Sequence, residues 1–245
     1  MQILKIVTLL LILVFNQSTI AQEESPKNER IEAYITFDMF SAFIFQSPRY
    51  TLGYVHPIHR RWLVGIDLGY SNSNLIPHYY QDILIIGNDY RIFEIRPKIY
   101  FKLKPSSKFQ PYVSGELFYI NHKDSYINNT EYLKGERYIR IQNGGDNSPS
   151  QYISYDEAEY FRQKSGINFN IGLFLTLIDN VGMNIDAGIG IRNRNLKYRN
   201  VVNPTLFSPP EDEGYVESPL TYRLGNDVGA NISLNFKLFY KFMKN

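Results

Sequence analysis

Cysteine is absent from the 245 residues, which excludes a disulfide framework, a cysteine nucleophile, a thiolate metal site and a lipid-modified cysteine anchor. Net charge is nearly absent as well: 26 Lys and Arg stand against 24 Asp and Glu, a formal +2. No strong field therefore argues for nucleic acid or an acidic partner. Trp occurs once, although aromatics reach 15% and 20 of them are Tyr. Long apolar runs are missing too, since the one that stands out, residues 6–15, is half of the ~20 residues that a membrane helix needs. A bundle of membrane helices is excluded. A membrane barrel is not, because its strands alternate apolar with polar residues.

The short apolar run follows Lys5 and precedes Asn16, Gln17 and Ser18. Thr19-Ile20-Ala21 then offers small residues at the two positions a signal peptidase reads. Residues 1–21 are expected to be a secretory signal, with Gln22 as the new N-terminus and 22–30 as a short lead-in.

Beyond residue 30 the dominant signal is a period of two. One row reads Trp62, Val64, Ile66, Leu68, Tyr70; a second Phe93, Ile95, Pro97, Ile99, Phe101, Leu103; a third Ile167 to Leu177 in steps of two. The pattern continues in Val181, Met183, Ile185, Ala187, Ile189, Ile191 and closes in Val228, Ala230, Ile232, Leu234, Phe236, Leu238, Tyr240, Phe242. These rows carry no charge. The interleaved rows carry Asp67, Glu94, Arg96, Lys98, Lys102, Asp186, Arg192, Asp227, Lys237 and Lys241.

A soluble ligand-carrying barrel would also alternate, with its apolar side inward, so the facing has to be argued. The uncharged rows are large and apolar, whereas the charged rows are rich in Gly and Asn, as a narrow barrel interior requires. Several uncharged rows end in aromatics, as expected for interface girdles. The segment 91–103 is long: thirteen residues give ~33 Å of height at a 40° tilt, enough for a ~25 Å apolar band. The uncharged rows are expected to face lipid and the charged rows the lumen.

Three further segments, 31–45, 50–56 and 109–120, complete eight strands, the facing of 50–56 being left open by its short pattern. Short connections at 57–61, 104–108 and 178–180 alternate with long ones at 72–89, 122–164 and 194–226, the first outer turn, 46–49, alone being brief. That alternation matches short periplasmic turns and long extracellular loops, with both termini periplasmic. The expected fold is all-β: an eight-stranded antiparallel up-and-down transmembrane barrel over residues 31–242. Pro97 inside a strand predicts a bulge or a lost ladder bond.

In its signal, its amphipathic strands, the stretch Glu94-Ile95-Arg96-Pro97-Lys98-Ile99-Tyr100-Phe101 leading to Gln110-Pro111-Tyr112-Val113, and its last strand, the chain resembles a small Gram-negative outer-membrane barrel of the OmpA/OmpX-like type. The resemblance implies an outer-membrane location among lipids and lipopolysaccharide. It also implies that the barrel-assembly machinery reads the last strand through Phe236, Leu238, Tyr240 and Phe242, although Met243-Lys244-Asn245 trail beyond the terminal aromatic. It does not select one activity.

An eight-stranded barrel has room inside for side chains but not for a water channel, so its enclosed charges must pair. A turn centred near Ser106 sets Arg96 opposite Glu116 and Lys98 opposite Ser114. The expected lumenal network is Asp67, Glu94, Arg96, Lys98, Glu116 and Asp186. Barrels of this size include enzymes that add or remove acyl chains on lipid A, and the one local cluster of suitable types is His122, Asp124 and Ser125. Neither a His-x-Ser nor a Gly-x-Ser-x-Gly motif occurs. His56 and His59 fall at a turn beside Arg60 and Arg61, and His78 stands alone, so no metal site or cofactor is expected.

The segment 122–164 carries Tyr126, Tyr132, Tyr138, Tyr152, Tyr155 and Tyr160 among Asn, Ser and Gly, a composition suited to recognising an extracellular protein or glycan. The segment 194–226 holds four prolines and Glu211-Asp212-Glu213, and reads as irregular. Three functions remain in view: a non-enzymatic barrel with a plugged lumen and a structural or surface-recognition role, a lipid A or phospholipid acyl-modifying enzyme, and a passage for small apolar molecules.

Overall fold

Period-two segments with an uncharged row have one cheap solution, a sheet that closes on itself and leaves no edge. The computed structural model has this form. It describes residues 32–38, 40–43, 47–77, 86–87, 89–103, 108–127, 139–141, 151–207 and 224–243. The signal and lead-in (1–30), His78, Tyr132 and Tyr138, and Pro209 to Pro219 lie outside the described residues. The strands are β1 Glu32–Asp38, β2 Tyr50–Pro57, β3 Trp62–Asn72, β4 Arg91–Lys102, β5 Phe109–Ile127, β6 Ile139–Ile141, β7 Gln151–Ser154, β8 Glu157–Ile178, β9 Val181–Val202, β10 Thr205–Phe207 and β11 Gly225–Met243.

Eight of them form a closed ring in the order β1-β11-β9-β8-β5-β4-β3-β2, with every neighbouring pair antiparallel. Closure runs through β1, where Thr36 pairs with Phe239 on one side and Gly53 on the other. A separate three-stranded sheet, β10-β7-β6, is built from the connections.

The apolar rows face outward. Ile171, Ile189 and Ile232 are 71%, 72% and 83% exposed, whereas Asp67, Lys98 and Asp186 inside are 2%, 4% and 1% exposed. Tyr50, Leu52, Tyr54 and His56 of β2 also point outward, which fixes the facing left open by the sequence. The outward apolar row runs over residues 109–119 in β5, 167–177 in β8 and 181–191 in β9, then turns polar at Asn121, Ser165 and Asn193. Ten steps of ~3.3 Å at a ~40° tilt give about 25 Å, the height of a hydrocarbon band.

The structure corrects three sequence expectations. The strand expected over 31–45 ends at Asp38, because its carboxylate accepts the backbone N–H groups of Phe40 (3.0 Å) and Ser41 (3.1 Å) and draws the chain into a 3-10 turn, Phe40–Phe43. The segments 122–164 and 194–226 are not loops throughout: β5 continues to Ile127, β8 starts at Glu157, β9 reaches Val202 and β6, β7 and β10 occupy part of the remainder. Past the apolar belt these strands are held together by Tyr126, Tyr155, Tyr160 and Leu196, with Ile153 and Tyr198 against them. Finally, in the β4–β5 register Lys98 rather than Arg96 stands directly opposite Glu116, and Tyr100 rather than Lys98 opposite Ser114, although the expected Arg96–Glu116 ion pair forms at 3.0 Å. The turn is centred one residue later than the spacing suggested, and the resulting two-residue slip leaves every side chain on its own face. At Pro97 the β4–β5 pairing lapses between Ile95↔Tyr119 and Lys98↔Glu116 with the register unchanged, so the outcome is lost pairing and not a bulge, while β3–β4 pairing runs on.

Glycines on the inner rows make the narrow bore possible. A Cβ on Gly172 would run into the Tyr112 ring and Asp186, and one on Gly53 into Asp67 and Thr36. Gly172→Val is expected to cost about 1–3 kcal/mol by overpacking. Urea unfolding of the detergent-solubilised barrel, followed by the gel-mobility difference between folded and heat-unfolded forms, checks this. An unchanged midpoint would contradict it.

Candidate functional site

Inward side chains fill the bore in layers. At the end of the short turns, Tyr34, Tyr100, Tyr112, Phe174 and Phe239 pack with Val55 and Leu63, the rings of Tyr112 and Phe174 lying 4.8 Å apart and those of Tyr34 and Phe174 5.2 Å apart. Aromatic pairs at these separations add to the stabilisation from the area they bury.

The charged layer follows. Lys98 Nζ lies 2.6 Å from Glu116, 3.5 Å from Asp67 and 3.8 Å from Asp186. Lys237 also pairs with Asp67, so the ammonium groups of β4 and β11 meet across the bore on one carboxylate. Arg96 Nη1 reaches Glu116 at 3.0 Å and its Nε pairs with Glu94, while Arg49 Nη2 donates to Glu94 Oε1 at 3.1 Å. Asp67, Glu94, Glu116 and Asp186 are thus matched by Arg49, Arg96, Lys98 and Lys237, four against four. A neutral set is what a low-dielectric enclosure requires, since each uncompensated charge there costs several kcal/mol.

Amides add further donors to this layer. Asn168 donates to Glu116 (2.8 Å), Asn235 to Asp186 (2.6 Å) and Asn231 to Asn168 (2.8 Å). Tyr112 donates its hydroxyl to Asp186 at 3.2 Å, tying the charged layer to the aromatic one.

All six residues expected in the network sit in this layer. Arg96 meets Glu116 diagonally, one step along its row from the directly paired Lys98. Arg49 and Lys237 join them without having been expected from sequence. Lys237 stands on a charged row, but its partner lies 170 positions away and becomes its neighbour only through ring closure. Arg49 precedes β2 and carries no period-two signal.

His122, Asp124 and Ser125 sit past the belt at the outer end of β5. His122 is buried, its ring 4.9 Å from that of Tyr90 and 5.2 Å from that of Tyr160. Among the described residues neither ring nitrogen has a hydrogen-bond partner. Burial, with Arg162 and Arg49 nearby, holds the imidazole well below its usual range, so it is neutral at pH 7. The Asp124 oxygens accept from the backbone N–H groups of Ser125 (2.8 Å) and Gly87 (3.0 Å). The three residues are neighbours without a His–Asp or His–Ser hydrogen bond, and no relay of the base–hydroxyl kind is assembled. Among the described residues no group of three or more His, Cys, Asp or Glu is placed to hold a metal ion.

On the exterior of β11, Phe236, Leu238, Tyr240 and Phe242 form the row expected as an assembly signal, with the Tyr240 and Phe242 rings 5.2 Å apart and Phe40 5.0 Å from Phe236.

No family model matches the chain, and no curated protein matches it. Among solved structures, a major outer membrane protein from Thermus thermophilus aligns over 87% of this chain and 98% of its own, at a TM-score of 0.38 and 11% identity. The fold itself is an eight-stranded antiparallel β-barrel with an apolar exterior and a charged, paired interior.

Proposed function

We propose that the chain is an outer-membrane barrel with a side-chain-filled lumen, both termini periplasmic, serving envelope structure or surface recognition rather than catalysis or conduction. The observation that carries this reading is the apolar belt of about 25 Å enclosing a charge-balanced network. Such a network stabilises a wall and offers an ion no vacant ligand field. The outer end, where β5, β8 and β9 rise past the belt on a Tyr-rich core, presents the recognition surface to a protein or glycan. The barrel-assembly machinery and lipopolysaccharide are its expected partners on the way to and within that membrane.

Purified mature protein should need detergent to stay in solution and, reconstituted in planar bilayers, should give no conductance steps above the lipid background. Steady single-channel currents would overturn the filled lumen, and solubility without detergent would overturn the membrane location. Lipid A from cells with and without the protein should have the same acyl pattern by mass spectrometry. A difference abolished by Ser125→Ala would replace this reading with the acyl-modifying one.

A further inference from the structure

Four cations stand together on one stretch of inner wall just past the belt. Arg162 and Lys164 follow one another on the inner row of β8, and Arg192 and Arg194 on that of β9, where Lys164 pairs with Arg194 and Gly166 with Arg192. Asp227 Oδ2 lies 2.9 Å from Arg194 and 3.9 Å from Arg192. Among the described residues neither Arg162 nor Lys164 has a carboxylate within ion-pair distance. The mid-lumen layer is balanced, whereas among the described residues these four cations have a single carboxylate, Asp227, within ion-pair distance.

Two further observations mark the cluster as a site. Among the described residues the Nε atoms of Arg162 and Arg192 are buried with no hydrogen-bond partner, although a buried guanidinium donor left unmade is costly. Beside them the wall is open: Gly229 on β11 faces Arg192, and a Cβ there would meet that side chain alone, 3.7 Å from its Nε. The Arg192 side chain keeps 30% of its surface exposed, so the niche is reached from the outer end. Burial, with the charges of Arg192 and Arg162, pulls the Lys164 ammonium down to about 8, the response of a cation held among cations.

We propose that this outer mouth binds a phosphate-class oxyanion between Arg162, Lys164 and Arg192. Guanidinium forks match tetrahedral oxyanions in pairs of parallel hydrogen bonds, and an ammonium adds a point charge. A dianion offsets part of the clustered positive charge and occupies the unmade donors. The phosphate comes either from a soluble phosphorylated solute or from a phosphorylated lipopolysaccharide next to the barrel. This inference goes beyond the role proposed above, and binding in micelles holds or fails whatever that role is.

The test uses the whole mature barrel, folded in detergent micelles, titrated with inorganic phosphate and pyrophosphate by calorimetry, and separately exposed to vesicles with and without lipopolysaccharide. Saturable binding of a soluble anion, weakened tenfold or more in Arg162→Gln and in Arg192→Gln but unchanged in Arg60→Gln at the opposite end, supports the site with a soluble ligand. Binding confined to lipopolysaccharide vesicles with the same variant pattern supports it with a lipid-borne phosphate. Binding indifferent to both variants, or no binding in either arm, overturns the proposal. Gel mobility of the folded form confirms that each variant folds. Arg162→Lys, which keeps the charge and loses the fork, should retain part of the affinity, and full loss of folding in the Gln variants leaves this variant to decide by the same criterion.

Discussion

Lys98→Met should lower the stability of the folded barrel by about 3–5 kcal/mol, the usual cost of removing one partner from a buried ion pair. Lys98 is 4% exposed and faces three carboxylates. After its loss Asp67 retains Lys237, and Glu116 retains Arg96 and Asn168, but Asp186 is left with the Tyr112 hydroxyl and the Asn235 amide. The layer then carries one enclosed negative charge with no cation to answer it. Lys98→Met combined with Asp186→Asn restores the balance at three against three, so the double variant should recover most of the loss. Its deviation from additivity measures the coupling directly. Urea midpoints of barrels refolded in lipid vesicles check both values. A single variant within about 1 kcal/mol of the parent, or a double variant as unstable as the single, would show that charge balance does not hold this interior together.

How far this layer was legible in the sequence depends on what a slip of the chain changes. A one-residue slip inverts both faces, so the facing of Lys98 and Ile99 is written in the alternation itself. A two-residue slip inverts nothing, which is why spacing alone sets the β4–β5 pairing one step off along the row although Arg96 and Glu116 still meet. Strand ends were the least legible feature. Beyond Tyr119, Ile167 and Ile191 the outward residues include Asn, Ser, Gln and Lys, and a strand polar on its outer face reads as loop. The inner row goes on unchanged there, through His122, Tyr160 and Arg194. Local sequence carries no sign of which rows come together across the ring. The cations of β8 and β9 became visible only when the pairing of β8, β9 and β11 set their inner rows beside each other with Asp227.

An arginine introduced on the outer wall should have a cost that depends on height and not on local burial. Ile171 and Gln163 both point outward from β8, Ile171 near the middle of the belt and Gln163 past its edge. In a lipid bilayer Ile171→Arg is expected to cost about 2–4 kcal/mol and Gln163→Arg about 0–1 kcal/mol, because only the first places a cation at hydrocarbon depth. In aqueous surroundings both would be ordinary surface substitutions, within about 0.5 kcal/mol of the parent. The comparison therefore separates a wall that faces lipid from one that faces water, using two positions on the same face of one strand. Equal costs for the two, measured by unfolding from vesicles, would remove the apolar belt as the reason for this register. Without that belt, the enclosure of Lys98, Asp67 and Asp186 would have no external force to explain it.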